Sequence, residues 1–477
     1  MPIFIGDNQQ SSHQIRLNIL QMAWPSVVRM FLQSVVGMVD IMMVGRLGVA
    51  SIAAVSVANR LMFILIGALQ ALAVGSTALI SQYIGAKEKE KADRVVWQAL
   101  LGSLLLALIL CTIGFILAPQ GIRGMLSLMD TIDPMVVSQA TVYLRIVFIS
   151  MIFGLPQITI NAVLQGLGDM KTPLYLMVVS NIVNVVGNYV LIFGIGPFPA
   201  MGITGAAVAT GGARVVGAIL GVLVLIRGTR DYRLELTKIR WHLEVNILQK
   251  ILHIGIPASV EQLVRQSSMI LYSFLVASLG TVALAANEIV MNAQSFSFMP
   301  GFGFGVAATT LVGQSIGASQ PELAKRYGME TTKLAALLMT GAGILLFFWP
   351  QAFVGLYTSD PEVAQTAVSS LRIVAVMQPL FAMVMVLSGA LRGAGDTKWV
   401  MYATTVGNWG VRLVIAFIVA FYFKVGLIGF WIAVALDMTV RCLIILWRYQ
   451  SGKWQHGVLH SPRKLGRTAD LGKSPSS

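Results

Sequence analysis

Four acidic residues stand inside long apolar runs of this 477-residue chain: Asp40, Glu261, Glu288 and Asp437. A charge in hydrocarbon is costly unless it is paired or faces water, so each is a functional candidate. Asp40 lies in QSVVGMVDIMMVG, about 22 Å along a helix from Pro25, and no basic residue occupies its helical neighbours 36, 37, 43 or 44. A carboxylate without a partner in that setting favours its neutral form, which is what a proton carrier needs. The bland alternative is a structural hydrogen bond or an interhelical salt bridge. Glu261 and Arg265 stand at i,i+4, as do Asp437 and Arg441, and pairing along one helix face explains both. Glu288 follows Asn287 at the start of an apolar run, where it is placed to line a cavity mouth.

Neutral oxygens accompany these charges. Asn181, Asn184 and Asn188 share one helix face through their 3- and 4-residue spacing, and Thr210 follows Ala206 by one turn on the next apolar run. Such groups can ligate Na⁺, with Asp40, Asn184 and Thr210 as the candidate set, or hold a hydrogen-bond network around a carboxylate. Amides in membrane helices also simply bond a neighbouring helix. The two cysteines, Cys111 and Cys442, and five scattered histidines show no disulfide framework and no metal-ligand spacing. GFGFG at 301–305 follows no strand and is a poor phosphate loop. Twenty-four methionines are membrane filling or an adaptable apolar wall.

The elements that must position these groups follow from composition. The chain has 34 Lys plus Arg and 20 Asp plus Glu, 11% charged residues, with 56% apolar residues and a mean hydropathy of +0.78. Soluble domains carry roughly 25% charged residues, so an integral membrane protein is expected. Apolar stretches of about 20 residues place twelve spans near 17–44, 51–83, 95–118, 135–164, 172–196, 202–226, 250–278, 282–314, 331–354, 365–390, 399–423 and 426–447. Prolines at 25, 156, 257, 300 and 379 are potential kinks. The start is too polar for a secretory signal. Of the 34 basic residues, 23 fall on the side of the N-terminus, only Arg46, Arg123 and Lys424 on the other, and 8 within spans. This positive-inside bias places both termini in the cytoplasm and argues against a nucleic-acid partner.

The chain also repeats itself. At an offset of 232, Pro25 meets Pro257, Gln82 meets Gln314, and Ile84-Gly85-Ala86 meets Ile316-Gly317-Ala318. At 227, Leu144-Arg145-Ile146 meets Leu371-Arg372-Ile373 and Gly168-Asp169 meets Gly395-Asp396; at 224, Gly202 meets Gly426. Six spans per half give both halves one orientation, related by an axis along the membrane normal. The expected division is 1–16 as a cytoplasmic segment, 17–226 and 250–447 as two lobes, 227–249 as a linker and 448–477 as a basic tail. This is transporter architecture, although channels and membrane enzymes can also be duplicated bundles.

The stretches VDIMMVGRLG (39–48), QGLGDMKTP (165–173), GITGAAVAT (202–210), GIPASVEQ (255–262), PGFGFGVAATTLVGQSIGA (300–318) and GALRGAGDTK (389–398) together resemble the multidrug and toxic compound extrusion (MATE) family over residues 15–450. The resemblance implies an all-α polytopic membrane protein of twelve transmembrane helices in two pseudo-symmetric six-helix lobes, arranged as a V. It is nearest to the DinF-like branch, where the acid on the first helix, here Asp40, is the implied coupling site. That branch's network maps onto Asn184, Ala206 and Thr210, but its second acid falls at Asn188. One carboxylate instead of two favours H⁺ over Na⁺. The NorM-like branch has acids on the seventh and tenth helices, where this chain has Arg265 and Phe381. The implied activity is cation-coupled efflux of small-molecule drugs and organic cations from an inner-membrane monomer in contact with lipid, without cofactor. Two rivals are a lipid-linked oligosaccharide flippase, which needs a basic cavity for which Arg29, Arg60, Arg214, Arg265 and Arg412 are the available cations, and a polytopic membrane enzyme, whose metal or Ser/His/Asp sets are missing.

Overall fold

A computed structural model describes residues 11–126, 134–228, 232–235, 242–423 and 425–456; these are helical, with no strand among them. Most of the expected linker, the basic tail beyond 456 and the first ten residues lie outside the described set. Each of the twelve expected spans corresponds to a helical rod. The first half comprises α1 (Ser12–Gly45), α2 (Val49–Gly85), α3 (Lys89–Leu126), α4 (Pro134–Leu167), α5 (Lys171–Phe193) and α6 (Gly202–Arg227). The second contains α7 (Val245–Ala277), α8 (Thr281–Gly317), α9 (Pro321–Phe348), the single-turn α10 (Pro350–Val354), α11 (Pro361–Val376), α12 (Gln378–Gly393), a rod over 397–423 and α15 (Leu427–Gln450). Several helices outrun their apolar cores; α3 begins at Lys89, six residues before the expected 95, because its charged first turn projects beyond hydrocarbon.

By length and mean hydropathy alone, eight of the described helices can cross a membrane, and the pair α11 and α12, bent by 50°, makes nine. The remaining rods, α2, α7 and 397–423, pack alongside them. The bend falls just before Pro379, whose ring cannot continue the hydrogen-bond ladder. Pro25, Pro156, Pro257 and Pro300 instead sit inside unbroken helices. The 397–423 rod was expected as a plain span. It alternates α13 (Thr397–Thr405), a π-helical segment Val406–Leu413, α14 (Val414–Ile418) and a second π-helical segment Val419–Phe423. Its apolar composition masks this change of winding.

The repeat is visible in the backbone. Gly48 and Gly280 adopt φ of 108° and 101°, Gly168 and Gly395 92° and 87°, and even non-glycine Lys87 and Ser319 match at 60° and 58°. Hydrogen bonds repeat as well: Thr77 Oγ1 donates to Ala162 O and Thr309 Oγ1 to Gly389 O, both at 2.9 Å. The halves meet along a seam that obeys the same symmetry. Gln82 Nε2 donates to Gly393 O at 2.9 Å, and its counterpart Gln314 Nε2 donates to Gly166 O at 3.4 Å. Glycine is needed where α2 and α8 cross, since a Cβ on Gly85 would lie 1.9 Å from Gln314 O and one on Gly317 1.9 Å from Gln82 O.

Two helices cross between the halves. The N-terminal part of α1 (Ile15, Ile19, Met22, Ala23) packs in the core of the second half. Ile251 and Ile254 of α7 pack with α2, α3 and α4 of the first. At the same end Asn18 Nδ2 donates to Tyr327 Oη at 3.0 Å and Arg16 pairs with Glu330 at 2.9 Å. The seam therefore gathers near the N-terminal end of α1, leaving Asp40 at the opposite end of that helix.

Candidate functional site

The C-terminal part of α1 packs on α5 and α6, and this contact assembles the expected cluster. Asn188 Nδ2 donates to Asp40 Oδ1 at 2.7 Å and lies 3.4 Å from Asn184 Oδ1; Asn184 Nδ2 donates to Thr210 Oγ1 at 3.3 Å. Asn184 and Asn188 are buried one turn apart, while Asp40 and Thr210 are half-buried. Ala206 is buried one turn before Thr210 and contributes no side-chain oxygen. Asn181 is half-buried farther along the amide face and makes no hydrogen bond to the cluster. Among the described residues no basic side chain pairs with Asp40, as its helical neighbours led one to expect. The chain thus joins one carboxylate through two amides to one hydroxyl, so a change in the charge of Asp40 is felt on three helices.

The second half holds its charges differently. Both i,i+4 pairs form: Arg265 Nη2 lies 2.5 Å from Glu261 Oε1, and Arg441 Nε lies 2.9 Å from Asp437 Oδ1. Each carboxylate also receives an arginine from another helix, which the sequence did not reveal. Arg392 of α12 donates to both Glu261 oxygens at 2.7 Å, and Arg412 of the first π-helical segment reaches Asp437 Oδ2 at 2.6 Å. Arg392 was counted as a marker of the cytoplasmic side; it turns inward because Glu261, only 1% exposed, is the acid within its reach. Glu288 is exposed on α8 and is absent from the walls of the cavity described next.

These pairs border a cavity of ≈ 300 Å³ between α7, α8, α12, the 397–423 rod and α15. Phe298, Phe302 and Phe381 form part of its wall, with Phe298 and Phe381 in edge contact at 4.4 Å. Of the cations expected to be available to a basic cavity, Arg265 and Arg412 line this one, joined by Arg392 and Arg441. Arg214 is occupied in the first half, donating to Ser150 Oγ at 2.7 Å. Among the described residues, no group of three or more His, Cys, Asp or Glu side chains is arranged to hold a metal ion.

The MatE family model matches residues 25–190 and 257–418, two matches that begin 232 residues apart, as the repeat does. A probable multidrug resistance protein NorM of Thermotoga maritima is 30% identical over 444 residues, covering 93% of this chain and 94% of that protein. The probable multidrug resistance protein YoeA of Bacillus subtilis is 32% identical, over 89% and 91%. A solved outward-facing conformation of a multidrug resistance MATE family transporter superposes with a TM-score of 0.83 at 23% identity, covering 92% of this chain and 97% of the other. A MATE crystal structure in the straight conformation gives 0.84 with the same coverage. The paired six-helix architecture is theirs too, and the chain belongs to the MatE family of membrane transporters.

Proposed function

We propose that this chain is a secondary active multidrug efflux antiporter of the DinF-like type, exporting lipophilic and cationic compounds against inward H⁺ flow. The observation that carries the reading is the Asp40–Asn188 contact at 2.7 Å. It is the only carboxylate of the cluster, and Asn188 offers it an amide donor rather than an oxygen, which supports a proton over Na⁺. The relatives' names as multidrug resistance proteins support the substrate class. Basic residues biased toward one side support a cytoplasmic location for both termini in a plasma (inner) membrane.

In this mechanism a proton entering from outside neutralises Asp40. The charge-assisted bond from Asn188 weakens to a neutral one, roughly halving its strength, and α1 repacks against α5 and α6. Because the other end of α1 lies in the core of the second half, that movement is transmitted to the seam. Moving one charge through 100 mV is worth about 2.3 kcal/mol, a roughly fifty-fold bias between two states.

The test is dye transport in proteoliposomes under an imposed pH gradient, with a Na⁺ gradient as the parallel arm. Asp40→Asn should abolish pH-driven transport while the protein still inserts and purifies. Undiminished transport by that variant would remove Asp40 as the carrier, and transport driven only by Na⁺ would replace the coupling ion.

A further inference from the structure

The cavity of the second half has a polarity opposite to that of the Asp40 cluster. Four guanidinium groups, from Arg265, Arg392, Arg412 and Arg441, meet two carboxylates, Glu261 and Asp437. Two positive charges are left over in a place where each is expensive. Polar atoms of its walls also remain without hydrogen-bond partners: Trp431 Nε1, Tyr272 Oη, both amide atoms of Asn408 and the Nε atoms of Arg265, Arg412 and Arg441. Trp431 is 1% exposed, Tyr272 4%, Asn408 1% and Arg441 5%. Arg441 Nε is close to Asp437 Oδ1 but out of line for a hydrogen bond.

Buried polar groups are almost always satisfied, and six idle donors against a single idle acceptor, Asn408 Oδ1, at one cavity ask for an acceptor. Indole N–H and guanidinium N–H can only donate. Asn408 and Arg412 reach the cavity from the π-helical segment Val406–Leu413, and such segments recur at functional sites. The rest of the wall is aromatic and thioether, including Phe298, Phe302, Met291 and Met385.

We propose that this cavity binds a lipophilic compound through an anionic oxygen group, carboxylate or phosphate, seated between Arg412, Arg441, Trp431 and Tyr272 with its apolar body against Phe298 and Phe302. The proposal rests on the efflux reading above and widens its substrate class to lipophilic compounds that carry an anionic group.

Binding is measured by isothermal titration on the full-length protein in nanodiscs, without an ion gradient, so failure here and failure of driven efflux are read separately. The probes are 2-naphthoate and 1-naphthyl phosphate, against uncharged 2-naphthalenemethanol and cationic 2-naphthylmethylammonium. Farnesyl diphosphate tests a membrane-borne anion. The anions should bind at least about tenfold more tightly than the alcohol. Arg412→Gln should weaken them about tenfold, and Trp431→Phe and Tyr272→Phe about threefold each. Tyr272→Phe preserves volume and charge, so it reports even if Arg412→Gln or the smaller Trp431→Phe fails to fold. Binding of farnesyl diphosphate alone supports the site and assigns its anion to a lipid; binding of the naphthyl anions assigns it to a compound from water. Equal or tighter binding of the alcohol or the ammonium overturns the proposal, as does anion binding that none of the three variants weakens.

Discussion

Replacing Gly317 with alanine should open the seam between the halves. The new Cβ would lie 1.9 Å from Gln82 O, where such atoms keep at least about 3.0 Å apart. Helices α2 and α8 must therefore part by about 1.1 Å at their crossing. That displacement takes the Gln82–Gly393 bond from 2.9 Å to about 4.0 Å and the Gln314–Gly166 bond from 3.4 Å to about 4.5 Å, both beyond hydrogen bonding. Both amides are buried, and losing two such bonds costs about 2 kcal/mol, a roughly thirtyfold bias toward the parted state. The assay is maleimide labelling of Ser81→Cys, a fully buried position beside Gly313, with Cys111 and Cys442 replaced. Gly317→Ala should raise the labelling rate roughly thirtyfold, and Gly85→Ala by a similar factor because its clash is the mirror of the first. The double variant should fall short of the product of the two, since both spread one contact. Helix propensity alone favours alanine by about 1 kcal/mol, so any fall in melting temperature is also attributable to the clash. A well-folded Gly317→Ala protein that labels no faster would refute the idea that this crossing holds the halves together.

Glu261→Gln would leave Arg265 and Arg392 facing a neutral amide in a buried position, a loss of about 3 kcal/mol, seen as a lower melting temperature that Arg392→Gln partly restores; unchanged melting would deny the pair its structural role. Asn188→Asp would place a second carboxylate beside Asp40, and like charges at that distance call for a cation. Dye transport by this variant should become stimulated by Na⁺, and indifference to Na⁺ would discount the substitution at 188 as the reason for H⁺ coupling. Outside the membrane, burial lifts the Asp396 carboxyl above its ordinary 3.8, an effect that Arg448 at 2.6 Å only partly offsets. A raised carboxyl holds its proton more tightly folded than unfolded, so its contribution is complete below about 3.8 and is lost as pH rises through the folded value. Asp396→Asn removes that opposing slope, so the melting temperature of the variant should fall more steeply from neutral to acid pH than that of the parent; a shallower acid side would show that pairing with Arg448 dominates.

The sequence was most informative where chemistry repeats at short or fixed intervals. Twelve apolar runs became twelve rods because hydrocarbon enforces their length, and the 232-residue offset reappears as matched φ angles and matched threonine bonds. The i,i+4 pairs were legible because one helix carries both partners. Arg392 and Glu261 are 131 residues apart, and Arg412 and Asp437 are joined only by the packing of two helices, so no spacing rule announced either contact. The π-helical turns were hidden for another reason: a change from 3.6 residues per turn leaves hydropathy unaltered. The Asp40 cluster lies between these cases, since the amide face was periodic but its meeting with α1 depended on a resemblance to known proteins.

The two seam glutamines grip main-chain carbonyls, at Gly393 and Gly166, and this has an evolutionary consequence. An acceptor supplied by the backbone cannot be deleted by any codon change, so only the donor of each bond is exposed to mutation. The crossing itself stays alike in the two halves, with Gln82 and Gln314, Gly85 and Gly317, and Gly166 and Gly393 identical, while the polar sites away from it differ: an arginine-rich cavity in one half and the Asp40 cluster in the other. A joint built this way lets the two lobes acquire different chemistries while inheriting one hinge.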